Sequence, residues 1–310
     1  MEKLTLHNLA REGDDMTLKA MLDNPENNSY VDFDTRDSNK LTALQCAVIW
    51  DNPHVLSVLL HDERTESARQ VRDSEGLSLA HYAAKTVRGN INPGICIDGS
   101  VVRRDSGEEG RSCLKVIIDS DKVQKRKWRK KSGRKRLTLE EDAEKREEKL
   151  LMYSRDLGGQ TPMHYAVMSG NKHAVELLND NDDTSNPDSR HEKTAEWQDD
   201  KKKLIYSADR HGMTPLHVAA KYGQVTIAPY LLDRNASSLS LDGDNSTPLH
   251  YSAAAGNLDM TNLFLERTEN VTELVNQKDK EGNTALHLSA ENGHEKVANI
   301  LLSKGIGMYL

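Results

Sequence analysis

The stretch "GMTPLHVAAKYGQ", Gly212 to Gln224, is not unique in this chain. "GQTPMHYAVMSGN" from Gly159, "NSTPLHYSAAAGN" from Asn245 and "GNTALHLSAENGH" from Gly282 share its register. "LHNLAREGD" from Leu6, "KLTALQCAVIWDN" from Lys40 and "GLSLAHYAAKT" from Gly76 are looser copies. Seven copies of one unit require a stack, because each copy has an apolar face that only a neighbouring copy covers.

The residue types say what the unit is. Thr214 suits a helix N-cap, where its hydroxyl accepts an orphan backbone N–H, and Pro215 suits the first helical position, where a missing N–H costs nothing. Ala219 and Ala220 let neighbouring helices approach, and Gly223 supplies the left-handed residue that ends one helix before the next. A second helix follows, apolar at "VELL", "NLFL" and "ANILL" with the helical period of a buried face. Asp37, Asp73, Asp156, Asp209, Asp242 and Asp279 recur in the connecting segments and favour tight hairpin turns.

With Asp209, Gly212, Thr214, Pro215, Leu216, His217, Ala219, Ala220, Gly223, Leu231 and Leu232 all in place, the unit resembles the ankyrin repeat. The fold expected is all-α, a solenoid of helix-turn-helix units joined by hairpin loops, with charged insertions. His7, His81, His164, His217, His250 and His287 occupy one position in their repeats, where an imidazole links adjacent turns by hydrogen bonds. A metal would need converging ligands, whereas a stack sets these rings in a ladder. Gln45 replaces the ring in repeat two and keeps the hydrogen bonding. No metal or cofactor is expected.

Composition bounds the rest. A formal net charge of −7, 36% hydrophobic and 5% aromatic residues suit a stack with local contacts better than a globular enzyme core. Cys46, Cys96 and Cys113 are too few for a disulfide framework, and neither a signal peptide nor a membrane-length apolar run is present. A cytoplasmic location is expected, with entry into the nucleus left open by the basic run described below, and the sequons at Asn27, Asn235, Asn245 and Asn270 are read as fortuitous.

First helices start near Leu4, Thr42, Ser78, Thr161, Thr214, Thr247 and Thr284, an ordinary spacing of about 33 to 38 residues that swells twice. Residues 1–86 then hold repeats one, two and the start of three. Residues 87–109 form a flexible insert, 110–119 the second helix of repeat three, and 120–152 a charged hairpin insert. Repeat four spans 153–179, an acidic insert 180–205, and repeats five to seven 206–310. Thr138 with Glu141 matches a capping box that opens a charged helix. Pro229 falls inside "QVTIAPYLL", where a proline removes a helical bond and marks a weak point.

The basic run, with Lys125, Arg126, Lys127, Arg129, Lys130, Lys131, Arg134, Lys135 and Arg136, admits a solvated insert, a nuclear-localisation signal read by an import receptor, or an anionic-surface patch. The acidic insert, from Asp180 and Asp182 onward, is expected to mask it at low salt. Overall acidity argues against nucleic acid as the main ligand. In "VVRRDSGEEG" two arginines precede Ser106 as a basophilic kinase requires, and "DSG" partly resembles the degradation signal of inhibitory ankyrin proteins, with Gly110 in place of its second serine. Ser252 and Ser289 lie two places after motif histidines without an acid partner, so no catalytic constellation is expected.

The resemblance implies a non-catalytic scaffold or adaptor that grips another protein with its hairpin tips and the concave first-helix face. On this sequence that surface holds Ile49, Trp50, Met168, Arg210, His211, Lys221 and Tyr222. The alternatives are a cytoplasmic ankyrin region cut from a larger channel or enzyme, suggested by a final helix as apolar as an internal one, and an inhibitor that retains a transcription factor.

Overall fold

The computed structural model describes residues 5–24, 31–86, 112–132, 150–182 and 204–305. Among them every regular element is helical. Two compact units divide the chain, residues 1–157 with repeats one to three and 158–310 with repeats four to seven.

In the first unit α1 (Leu6–Glu12) and α2 (Asp15–Asp23) form repeat one, and α3 (Ala43–Ile49) with α4 (Pro53–His61) repeat two. A short α5 (Glu66–Arg69) follows, then α6 (Leu79–Lys85) and α7 (Cys113–Ser132) of repeat three. First helices stack on first helices, α1 on α3 on α6, and second on second, α2 on α4 on α7. Leu44, Leu56, Leu59, Leu79, Ile117 and Ile118 fill the core between the layers. The second unit repeats the plan with α8 (Pro162–Met168) and α9 (Lys172–Asp180), α10 (Pro215–Lys221) and α11 (Ala228–Leu232), α12 (Pro248–Ala254) and α13 (Leu258–Arg267). It continues through α14 (Val271–Asn276) to α15 (Ala285–Glu291) and α16 (Glu295–Gly305) around Met163, Leu178, Leu216, Leu249 and Phe264.

Helix starts lie where capping chemistry requires. Thr42, Ser78, Thr161, Thr214, Thr247 and Thr284 each cap a first helix in a reciprocal box with the residue three places on. Gly223 takes φ 68°, the left-handed turn its position demands, and Gly170, Gly256 and Gly293 repeat it.

Two elements depart from the sequence reading. The second helix of repeat three, expected to end at 119, runs on to Ser132, because Lys, Arg and Gln hold a helix well and no glycine or proline intervenes before Gly133. Ion pairs of Asp119 with Lys115 at 3.7 Å and Lys122 at 3.8 Å line this helix. Pro229 does not sit in a helix interior: α11 begins only at Ala228, so the proline occupies the first turn, where its missing N–H has no acceptor to lose.

A buried ion pair closes the first unit. Arg69 at the end of α5 pairs with Asp121 of α7 and donates to Ser120 Oγ at 2.8 Å, while Asp121 also accepts the Met152 N–H at 3.0 Å. Burial raises the Asp121 carboxyl above its ordinary range, and the guanidinium and backbone N–H groups oppose that.

Candidate protein-binding surface

The repeated histidine is a structural bracket. In repeats four, five and six its Nδ1 accepts the N–H of its own N-cap residue at 3.1 to 3.2 Å. The opposite nitrogen then carries the proton and donates to the carbonyl just before the next repeat's N-cap: His164 to Met213 at 3.0 Å, His217 to Ser246 at 3.1 Å, His250 to Asn283 at 3.3 Å. His7 reaches Leu41 in the same way at 3.0 Å. Burial lowers the His217 and His250 imidazoles below the ordinary histidine range and keeps them neutral, as this pattern of bonds needs.

The repeated aspartate is the matching bracket of the hairpin. One oxygen of Asp37, Asp73, Asp209, Asp242 and Asp279 accepts the N–H groups two and four residues on, at 2.8 to 2.9 Å. The second oxygens of Asp73 and Asp242 take the Tyr82 and Tyr251 hydroxyls at 2.6 Å, and burial, then these bonds, raise both phenols well above their usual range. Backbone bonds tie each tip to the next: Arg210 N–H to Gly158, Gly243 to His211, Lys280 to Asp244. The motif's ionisable groups are thereby engaged in holding the frame. Ser252 and Ser289 donate to the carbonyls of Leu249 and Leu286. Among the described residues no three His, Cys, Asp or Glu side chains gather where a metal could bind.

Exposure at the first-helix ends and the hairpin tips differs from repeat to repeat. Lys221 and Tyr222 stand exposed at the end of α10, Tyr222 at 50%. Arg210 and His211 are exposed at the tip of their hairpin. Met168 is half-buried, its carbonyl accepting the Gln224 side chain at 3.2 Å. Ile49 and Trp50, in the first unit, are also half-buried, and Trp50 carries the Arg11 guanidinium 5.3 Å from its ring while that arginine pairs with Asp37. The tryptophan is thus committed in part to its neighbouring repeat. Sequence reasoning missed Val225, 42% exposed in the turn that follows Tyr222. Its signal was Pro229, which shortens the second helix and leaves Val225 outside it.

Of the basic run, Lys125 is half-buried and Arg126 exposed on α7. The backbone at Lys127, Arg129, Lys130 and Lys131 belongs to the same helix, whereas Arg134, Lys135, Arg136 and Ser106 lie outside the described residues, as do the Thr138 box and the acidic run from Asp183 to Asp200. Asp182 accepts the Leu204 N–H at 2.6 Å and so clips together the two ends of the acidic insert.

Comparison with known families matches residues 6–60 to a profile of many ankyrin repeats, and 137–242 and 234–309 to one of three ankyrin repeats. The chain belongs to the ankyrin-repeat family. Repeat three escapes these matches, yet α6 and α7 pair as the other repeats do. Among curated proteins, the transient receptor potential cation channel subfamily A member 1 of Drosophila melanogaster is 30% identical over 290 residues, 87% of this chain and 22% of the relative. The protein of the same name in Homo sapiens is 35% identical over 104 residues, 34% of this chain and 9% of the relative. The Caenorhabditis elegans homologue is 27% identical over 108 residues. The chain thus spans between 9% and 22% of the length of these relatives. Ankyrin repeats are built to bind proteins, and no helix among the described residues is long and apolar enough to cross a membrane.

Proposed function

We propose that this chain is a protein-binding ankyrin region that holds its partner on the first-helix ends and hairpin tips. What carries this reading is the exposed Tyr222, flanked by Lys221 and followed by Val225, on a frame whose motif histidines and aspartates are bonded internally. A large semi-rigid side chain with a polar tip contributes most to an interface when a partner desolvates it. A photo-crosslinker at position 222 of the full-length protein in cells should trap a partner protein, while the same group at exposed Met16 on α2 should not. Equal trapping at both positions would remove the surface from consideration.

A second reading has support of its own: the chain is the ankyrin region of a larger cation channel. The Drosophila channel aligns with 87% of this chain, including the repeat that family profiles pass over. Transcript sequencing past the Leu310 codon should find an open frame that encodes membrane-spanning helices. A stop codon there would end this reading and leave a free-standing adaptor.

A further inference from the structure

The backbone bonds that tie hairpin tip to hairpin tip have one gap. The N–H one place after a bracket aspartate donates to the carbonyl two places after the preceding one: Leu157 to Glu75, Arg210 to Gly158, Gly243 to His211 and Lys280 to Asp244. Ser74 and Asn39 hold the corresponding places, and no such bond joins them among the described residues. Lys40 stands in the same tip at φ 62°, where an L side chain is strained. The tip at residues 37–40 therefore opens at lower cost than its tied counterparts, since it gives up no bond to the next tip and sheds strain as it opens.

The same tip carries a charge pattern. Arg36, Asp37, Ser38, Asn39 and Lys40 place one cation two residues before a serine and another two residues after it. Arg36, Ser38 and Lys40 are all exposed, and the Ser38 hydroxyl makes no hydrogen bond among the described residues. Asp37, the acid between them, is already engaged: it accepts the Asn39 and Leu41 N–H groups and pairs with Arg11. The next tip supplies a control within the molecule. Arg72, Asp73 and Ser74 repeat the first three residues, but Glu75 follows the serine and Gly76 stands where Lys40 does. Arg72 is also half-buried, its guanidinium donating to the Gly76 and Arg155 carbonyls.

We propose that Ser38 is a phosphorylation site for a protein kinase whose substrate groove holds acidic residues on both sides of the acceptor hydroxyl. Such a groove takes Arg36 and Lys40 together, and the untied tip can open into the extended form that a kinase groove accepts. In the step, the Ser38 oxygen bonds to the γ-phosphorus of ATP as the bond from that phosphorus to the β–γ bridging oxygen breaks. ADP leaves, and the hydroxyl proton passes to the kinase's catalytic aspartate. The phosphate brings about −1.5 to −2 charges to a tip on which Arg36 and Lys40 are cationic, so modification turns a positive tip into a nearly neutral one.

The test treats the full chain, below its melting temperature, with ATP and the catalytic domain of protein kinase C, and reads initial rates at each serine by phosphopeptide mass spectrometry. A free peptide of residues 32–44 is run beside it. Ser38 in the folded chain should be modified within about thirtyfold of the peptide's rate, the cost of a local opening well short of global unfolding. Arg36→Gln and Lys40→Gln should each slow it roughly fivefold, the worth of one exposed charge pair, and Ser74 should react at least about tenfold more slowly than Ser38. No phosphate on Ser38 while the peptide is modified would show the tip closed and overturn the proposal. An unmodified peptide, equal rates at Ser38 and Ser74, or indifference to both glutamine variants would overturn it too, since each removes recognition by the flanking cations. A Ser38 rate that rises with the destabilisation caused by Asp121→Ala would make the unfolded chain the substrate, and the folded tip would no longer be the site.

Discussion

At the residue scale the repeats act as controls for one another, and the deviant positions are the informative ones. Gln45 stands where other repeats have histidine. Its Oε1 caps Thr42 at 2.9 Å, but its Nε2 is buried with no partner. An imidazole there would reach for the Leu77 carbonyl, the counterpart of Met213 and Ser246. Gln45→His should therefore stabilise the first unit by about 1 kcal/mol, the net worth of a buried hydrogen bond, read from urea unfolding followed by Trp50 fluorescence. Lys40 is a second deviant. It holds φ 62° at the hairpin position where Gly76, Gly212 and Gly282 stand, and a side chain in the left-handed region costs roughly 1–2 kcal/mol. Lys40→Gly should raise stability by up to that amount. Gly212→Ala should lower it by more, because its new Cβ would lie 2.6 Å from the Gly243 nitrogen. If Lys40→Gly destabilises, the strain argument is wrong.

At the element scale the sequence revealed what is periodic and hid what is contingent. Thr214, Pro215 and Gly223 announce a first helix because capping and left-handed geometry are local chemistry. The length of α7 was not legible, since nothing local marks whether a basic run leaves the fold or continues a helix until Gly133 interrupts it. Nor was the ion pair of Arg69 with Asp121, whose partners lie far apart in sequence and meet only when α7 packs beside α5. That pair gives a sharp expectation. Asp121→Ala leaves a guanidinium buried without a counter-charge and should cost about 3–5 kcal/mol, whereas replacing both partners by apolar residues should recover most of the loss. Equal unfolding midpoints for the single and double variants would refute this. Pro229→Ala is the opposite case. A proline in the first turn forfeits no bond, so its removal should change the urea midpoint by less than about 1 kcal/mol, not the 3 kcal/mol gain that an interior proline would yield.

At the scale of the whole molecule, the partner surface is the part least legible from sequence. Tyr222 and Trp50 occupy equivalent places in the repeat, yet one stands clear of the frame and the other lies under Arg11, a difference set by which residue the neighbouring repeat presents. The ladder beneath that surface has a collective consequence for pH. His217 and His250 are held below the ordinary histidine range chiefly by burial, with Asp242 acting against that shift on both rings. In the unfolded chain each ring binds a proton near pH 6.5, and in the folded chain only at lower pH, so the unfolded state gains protons first as pH falls. The sign follows: the stability of residues 158–310 is highest above pH 6.5 and declines as pH drops below it, by up to about 1.4 kcal/mol per pH unit for each such ring. Carboxylates titrate lower, so from pH 7.5 to 5.5 the slope belongs to the imidazoles. Amide exchange in α10 and α12 should accelerate over this interval beyond the intrinsic pH effect. His217→Gln with His250→Gln should flatten that dependence while lowering stability at pH 7.5, because the caps survive and the bridges do not. A wild-type profile already flat between pH 7.5 and 5.5 would show that the rings accept protons in place, and the account of the ladder as neutral brackets would fall.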